Sequence, residues 1–180
     1  MMYQKGLIYM VFYRLKQLFK AIRPNVKAEE VAWLEEVLTE NELSLFLKQL
    51  VIEQRHALDV AHEILRKRSD IIQNMGETAY IDLIKAAFLH DCGKSLIKIR
   101  LWQRVFIVSY NYLPQRIKFN ISTQKNLFSK TIIIYQQHPS WGRKLAAKAG
   151  LNHQVQELIG NHHSPVNQLE QILFEADNMH

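Results

Sequence analysis

Apolar residues recur at intervals of three and four along most of the chain, and few stretches alternate with a period of two. Spacing of this kind collects the apolar side chains on one side of a helix, whereas a half-buried strand requires strict alternation. The pattern therefore predicts an all-α fold in which amphipathic helices pack around a shared core.

Proline, glycine and capping residues set the bounds of the predicted helices. Apolar residues with helical spacing predict helices over residues 3–22, 27–38, 41–68 and 78–90, with a last helix from about Gln168. The helix over residues 41–68 can be broken in two. Thr39 or Asn41 is placed to cap this helix. Pro139 suits the first position of a helix that follows His138, Gly150 suits its end, and Asn152 can cap the next helix.

A basic and aromatic insert between residues 94 and 130 is the least regular part of the pattern. Pro114 and the polar stretch after residue 120 are expected to divide helix from loop. Residues 101–119, like residues 1–23, combine aromatic rings with lysine or arginine, which allows peripheral contact with an anionic membrane surface. The alternative, which amphipathic helices favour, is that both segments face the core of the bundle.

Composition narrows the class of protein further. With 180 residues, 48% of them hydrophobic, the chain is expected to form one globular domain. The single cysteine, Cys92, cannot form an internal disulfide, and we expect a packing role and a cytoplasmic location. The N-terminal stretch lacks the features of a signal peptide or a membrane span. The net charge of +6 favours anionic partners.

Histidine and aspartate residues follow one another in an order that indicates metal binding. The candidates are His56, the adjacent pair His90 and Asp91, His138, the adjacent pair His162 and His163, and Asp177. Divalent transition metals prefer imidazole nitrogen and carboxylate oxygen. His90 and Asp91 follow an apolar run that predicts a core helix, and burying both without partners costs on the order of several kcal/mol. A metal ion would satisfy both groups.

Four short motifs and a final aspartate resemble the HD-domain superfamily. They are QRHALDVA around His56, FLHDCGK around His90, QHPSWG around His138, NHHSP around His162, and FEADNM, which contains Asp177. The resemblance implies a helical bundle with a mononuclear or dinuclear metal site. It further implies a metal-binding core over residues 51–180, on which the helices of residues 1–50 pack.

The resemblance also implies a division of the ligands between two metal ions. His56, His90, Asp91 and Asp177 would bind one ion, and Asp91, His138 and one or both of His162 and His163 would bind the other. The motifs are most similar to the branch that includes cyclic dinucleotide phosphodiesterases. That branch has a Gly-Tyr-Pro signature after the double histidine, which this chain lacks. Members of the superfamily that bind three metal ions carry a glutamate one helical turn before the first histidine. In this chain Ile52 occupies that position before His56, and the neighbouring Glu53 lies off that face of the helix.

The resemblance implies a metal-dependent phosphohydrolase that cleaves a phosphate ester or anhydride, in a nucleotide or a related metabolite. Two divalent ions (Mn, Fe, Ni, Co or Mg) would activate a bridging hydroxide for attack on phosphorus. Asp91 is the expected bridge, and Lys94 is expected to contact a phosphate oxygen, with Arg55 and Arg143 as further candidates. Specific nucleic-acid binding is not expected. A di-iron oxygenase and a non-catalytic signalling or binding module remain as alternatives.

Overall fold

The computed structural model describes residues 26–97, 103, 106, 110, 113–123 and 127–180. This part of the chain contains nine α-helices and one 3-10 helix and no strand, which confirms the all-α prediction. The helix expected over residues 3–22 and most of the basic insert lie outside the described residues. No helix among those described is long and apolar enough to cross a membrane.

The helices agree with the predicted stripes over most of the described chain. They are α1 (Ala28–Val37), α2 (Glu40–Leu47), α3 (Val51–Arg66), α4 (Arg68–Met75), α5 (Glu77–Leu89), α6 (Gln115–Thr123), α7 (Leu127–Ala149), α8 (His153–Asn161) and α9 (Gln168–Asn178), with the 3-10 helix Cys92–Leu96 after α5. The stripe over residues 41–68 is divided, as the sequence allowed, into α2 and α3.

Local capping interactions explain several of these bounds. Thr39 accepts a hydrogen bond from the Glu42 amide, and the Glu42 carboxylate accepts one from the Thr39 amide at 3.0 Å, so α2 begins with a capping box. Asn152 caps α8 by accepting from the Val155 amide at 2.9 Å. Gly150, with φ of +92°, follows the last residue of α7. These three assignments confirm the sequence predictions.

Helix α5 lies at the centre of the core. Its side chains from Leu83 to Leu89 are almost all buried, and Phe88 is completely so. The helix packs against α3, α4 and α8, with further contacts to α2 and α9. Burying each large apolar side chain contributes about 1.5–3 kcal/mol. The helix that leads directly into His90 and Asp91 is therefore among the most firmly held parts of the fold.

Helix α1 is joined to the core by a buried acid. The Glu30 carboxylate is 2.7 Å from the Arg55 guanidinium and 3.2 Å from His62 Nε2, both on α3. Trp33 adds an edge-to-face contact with Phe88, with ring centroids 4.9 Å apart. The packing of residues 1–25 on this core stays a prediction, because those residues lie outside the described part.

The prediction that Pro139 begins a helix is wrong. Helix α7 runs from Leu127 to Ala149, and Pro139 lies in its interior and is buried. Proline at this position removes the backbone donor that would bond to the carbonyl of Tyr135, four residues earlier. The His138 ring bonds to that carbonyl at 2.6 Å, so the carbonyl keeps a donor although the helix runs through a proline.

The 3-10 helix lies directly against α7 because Gly93 has no side chain. A Cβ atom at residue 93 would overlap the His138 carbonyl oxygen and would lie 2.7 Å from the Gly142 amide nitrogen. Both neighbours are backbone atoms of a helix, which cannot move aside without shifting α7. Gly93 therefore permits the approach that brings α5 and α7 together.

Replacing Gly93 by alanine is expected to lower the free energy of unfolding by about 1–3 kcal/mol, the usual cost of forcing an extra methyl group into a packed interior. Chemical denaturation measures this change. Gly160→Ala is the matched control, because a Cβ atom there would meet the flexible Arg143 side chain at 3.1 Å instead of backbone. Equal unfolding midpoints for the two variants would contradict the proposed role of Gly93.

Candidate metal centre

Six structural elements bring the predicted ligands to one place. His56 comes from α3, His90 from the end of α5, Asp91 from the junction with the 3-10 helix, His138 from α7, His162 and His163 from the end of α8, and Asp177 from α9. Each of the seven has a nitrogen or oxygen atom within 3.9 Å of another member of the set. Residues up to 121 positions apart in sequence therefore form one cluster.

The Asp91 carboxylate lies in the middle of the cluster. Its Oδ1 atom is 3.2 Å from His138 Nε2 and 3.9 Å from His162 Nε2. Its Oδ2 atom is 3.6 Å from His90 Nε2 and 2.6 Å from Lys94 Nζ. The two oxygens thus face two different groups of imidazoles, which is the arrangement that a bridging carboxylate requires.

Asp177 is the second carboxylate of the cluster. Its Oδ1 atom is 2.8 Å from His56 Nε2 and 3.6 Å from His90 Nε2. Its Oδ2 atom is 3.9 Å from His163 Nδ1. Asp177 therefore closes the cluster on the side where α3 and α9 meet.

Three of the histidines are oriented by the same local contact. In each, Nδ1 donates to the backbone carbonyl three residues earlier: His90 to Ala87 at 2.9 Å, His138 to Tyr135 at 2.6 Å, and His162 to Ile159 at 2.7 Å. A carbonyl oxygen can only accept, so Nδ1 carries the proton in each ring. A ring in its neutral form consequently has its lone pair on Nε2, which faces the cluster. Metal-binding histidines are commonly held in this way. His90 must lose a proton to reach that form, because the Asp91 and Asp177 carboxylates outweigh the effect of burial and raise its pKa to about 9.

These contacts leave acceptor atoms facing one another. His138 Nε2 lies 3.3 Å from His162 Nε2, although the single proton of each neutral ring is already on Nδ1. His90 Nε2 and Asp91 Oδ1 are buried without a hydrogen-bond partner among the described residues. Two nitrogens bound to one metal ion at about 2.1 Å lie roughly 3.0–3.4 Å apart. The residues therefore fit a metal ion, which would satisfy all of these acceptors.

Burial keeps the histidine pair at the end of α8 uncharged. It lowers the pKa of His162 well below the usual value, and the neighbouring His163 and His90 rings lower it further. Burial also lowers the pKa of His163 to about 4, assisted by His138. Both rings are therefore neutral near pH 7, the protonation state in which imidazole binds metal ions.

The carboxylates stay ionised despite their burial. Burial alone would raise the pKa of Asp91, but the Lys94 ammonium and the His90 ring hold it well below its usual range. In the same way, burial would lower the pKa of Lys94, but the Asp91 and Glu53 carboxylates raise it above its ordinary value. Asp91 and Lys94 therefore form a buried ion pair that keeps the central carboxylate negatively charged.

Glu53, which was expected to lie out of register with the metal-binding side chains, also belongs to this region. It is buried on α3, and its charge acts on Lys94. Glu53 precedes His56 by three positions, and side chains at this spacing are neighbours on a helix. That spacing was the signal in the sequence that could have identified it.

The two arginines considered for phosphate binding have other partners. Arg55 is paired with Glu30 and with Asp59, at 2.7 and 2.9 Å. Arg143 forms an ion pair with Glu157 on the outer side of α7 and α8. The structure therefore does not bring either guanidinium into the cluster.

Cys92 is adjacent to the cluster but has the properties of a packing residue. It is completely buried, and its Sγ atom lies 3.7 Å from the Gly142 carbonyl oxygen. Burial raises the pKa of its thiol, with a further contribution from the Asp91 charge. A thiol that stays protonated is a poor nucleophile.

Replacing Pro139 by alanine is expected to separate fold stability from metal affinity. The new amide would compete with the His138 ring for the Tyr135 carbonyl and loosen the ring, so metal binding should weaken by about 10-fold. The unfolding free energy should stay the same or rise, because alanine is a far better residue than proline inside a helix. Isothermal titration with Mn²⁺ and thermal unfolding measure the two effects, with the exposed neighbour Ser140→Ala as the control. Unchanged Mn²⁺ affinity would refute this role of Pro139.

The comparisons with known proteins agree with this geometry. The chain matches the family model described as HD domain over residues 54–180, a range that includes all seven residues of the cluster. The comparisons with curated proteins and with solved structures give no match. Since the match covers more than half of the sequence and contains the adjacent histidine and aspartate at the centre of the cluster, the chain belongs to the HD-domain family.

Proposed function

We propose that the protein is a metal-dependent phosphohydrolase that uses two divalent metal ions and acts on a phosphate ester or anhydride of a nucleotide or related metabolite. HD domains are mostly metal-dependent phosphohydrolases. The observation that carries the proposal is the presence of two adjoining groups of candidate ligands. They are His138, His162 and His163, and His56, His90 and Asp91, and the ligand atoms of each group lie within 4.8 Å of one another.

The proposed ligand sets follow the two groups and share one residue. His56, His90, Asp91 and Asp177 hold one ion, and Asp91, His138 and one or both of His162 and His163 hold the other. A divalent metal pair in such a site supplies Lewis-acid activation of water and compensates the charge of phosphoryl oxygens. The contribution of the chain is to hold neutral imidazoles and ionised carboxylates in place before the substrate arrives.

Differences in exposure support one direction of substrate entry. The side chains of His163, Lys94 and His56 are 34%, 21% and 23% exposed, whereas those of His90 and His138 are at most 1% exposed. Water and a small phosphorylated molecule therefore reach the centre past His163, Lys94 and His56. The buried imidazoles form its floor.

The charge of the centre favours an anionic substrate only when metal ions are bound. Asp91 and Asp177 are ionised and Lys94 is protonated, and the two carboxylates, against the effect of burial, raise the pKa of His90 to about 9. Near pH 7 these four groups therefore carry no net charge in the metal-free protein. Two divalent cations would make the centre positive, and a phosphate group would then be attracted to it.

Lys94 is proposed to have two roles. Its ammonium lies 2.6 Å from Asp91 Oδ2 and keeps that carboxylate ionised. It is also partly exposed at the proposed entrance, where it can donate a charge-assisted hydrogen bond to a phosphate oxygen. The second role makes it a candidate catalytic residue.

Metal analysis followed by a phosphate-release screen tests the proposed reaction. The purified protein is expected to contain a divalent transition metal and to release phosphate from at least one nucleotide or phosphorylated metabolite. Exhaustive chelation should abolish this activity, and re-addition of Mn²⁺, Fe²⁺, Ni²⁺, Co²⁺ or Mg²⁺ should restore it. Full activity after chelation contradicts the proposal. Iron-dependent turnover that consumes dioxygen and releases no phosphate supports the di-iron oxygenase instead.

Substitutions of Asp91 and His138 are expected to have different effects on metal content. Asp91→Asn should remove most bound metal and all hydrolysis, because it deletes the anion that faces both groups. His138→Ala should retain about one metal ion per chain and lose hydrolysis, because only the second group loses a ligand.

Metal stoichiometry and turnover are measured together, with the exposed Asp70→Asn as the control for loss of one carboxylate. The assignment of His138 to the second ion is wrong if His138→Ala retains two tightly bound ions and wild-type hydrolysis.

A further inference from the structure

The positive charge of the chain is concentrated in one continuous stretch of sequence. Eleven of its 23 lysine and arginine residues lie between Cys92 and Gln156, and none of its 17 aspartate and glutamate residues does. In the remainder, the 17 acidic residues outnumber the other twelve basic ones. The net charge of +6 thus combines a strongly basic stretch with an acidic remainder.

Large apolar side chains are exposed within the same stretch. Their exposed fractions are 67% for Phe119, 53% for Leu127, 52% for Ile133, and 44% for Ile117 and Phe128. Two cationic residues, Arg116 and Lys130, are exposed beside them. We refer to these seven residues on α6 and the start of α7 as the α6–α7 surface.

The two helices hold these residues close together. Helix α6 packs against α7, and only three residues separate the two helices in sequence. Leu127, Lys130 and Ile133 follow one another at intervals of three, so they lie on one side of α7. Ile132, two residues after Lys130 and so on the opposite side of the helix, is buried. Leu127, Lys130 and Ile133 therefore place apolar and cationic groups together on one outward side of α7.

Aromatic contacts support this surface from within the insert. The Phe106 and Phe128 rings lie 4.7 Å apart, and the Lys118 ammonium is 5.7 Å from the centre of the Tyr110 ring. The Tyr110 hydroxyl also donates to the Lys118 carbonyl oxygen at 3.5 Å. These contacts hold the α6–α7 surface against Phe106 and Tyr110 of the insert.

We propose that the α6–α7 surface docks on an anionic phospholipid bilayer. Cations near a bilayer attract anionic headgroups, and neighbouring apolar side chains enter the boundary with the acyl chains. The mixture of groups favours lipid over nucleic acid, because Ile117 and Leu127 offer neither stacking nor hydrogen bonds to bases. Arg116, Ile117 and Phe119, which were expected to face the core as part of a longer segment, are exposed and serve this contact instead.

Docking would bring the candidate metal centre close to the bilayer. Ile133 and His138 are both on α7, five residues apart. At 1.5 Å per residue, the surface ends about 8 Å along the helix axis from His138. This docking does not depend on the reaction proposed for the centre.

Vesicle co-sedimentation of the full chain tests the proposal. The chain is expected to bind vesicles that contain about one third phosphatidylglycerol and not vesicles of phosphatidylcholine alone. Its binding should weaken as NaCl is raised from about 50 to about 500 mM, because salt screens the attraction. The double variants Arg116→Glu with Lys130→Glu, and Phe119→Ser with Leu127→Ser, should each lower the partition coefficient at least about tenfold. Lys48→Glu and Val166→Ser, which are single exposed substitutions of the same two kinds outside the basic stretch, serve as controls and should bind like the unmodified chain.

A second measurement does not depend on loss of binding. Phe119→Cys labelled with an environment-sensitive fluorophore should shift to shorter wavelength on anionic vesicles, and the buried Cys92 will not compete for the label. No co-sedimentation of the unmodified chain at low salt overturns the proposal, as does equal binding by all variants. Binding to a single-stranded oligonucleotide that only the charge variants weaken, without vesicle binding, would assign the surface to nucleic acid.

Discussion

Contact between the backbone of the 3-10 helix and the backbone of α7 determines where the two groups of ligands lie. Gly93 adjoins the carbonyl of His138, and Asp91 is only two residues earlier in the chain. The carboxylate of Asp91 is therefore fixed at the junction of α5 and α7, within 3.2 Å of one imidazole from α7. This close approach brings the candidate ligands of α7 and α8 next to those of α3 and α9.

The sequence was sufficient to predict the fold class and the candidate ligands. Helical spacing of apolar residues is a local property, and so are the caps at Thr39 and Asn152, which the structure confirms. The ligands could be identified because each belongs to a short motif, and because His90 and Asp91 follow an apolar run that is indeed the buried helix α5. Their roles as ligands remain a proposal that the geometry supports.

Features that depend on side-chain conformation or on distant partners could not be predicted in the same way. Pro139 has the local properties of a residue at a helix start, and the sequence does not indicate that the ring of the adjacent His138 bonds to the Tyr135 carbonyl. Arg55 is paired with Glu30, which is 25 residues away in sequence, and no periodicity identifies such a partner. For the same reason, the effect of Glu53 on Lys94 became evident only from the folded chain.

The imidazoles of His90, His138 and His162 are each hydrogen-bonded to the backbone carbonyl three residues earlier. The orientation of each ring is therefore set by the helix that carries it. Ring rotation is restricted before any ion arrives, which avoids an entropic cost of about 0.5–1.5 kcal/mol for each side chain. The spacing between the nitrogens is then a property of how the helices pack. Any change in the distances between these nitrogens therefore requires whole helices to move, so the geometry of the candidate metal centre depends on the packing of the hydrophobic core.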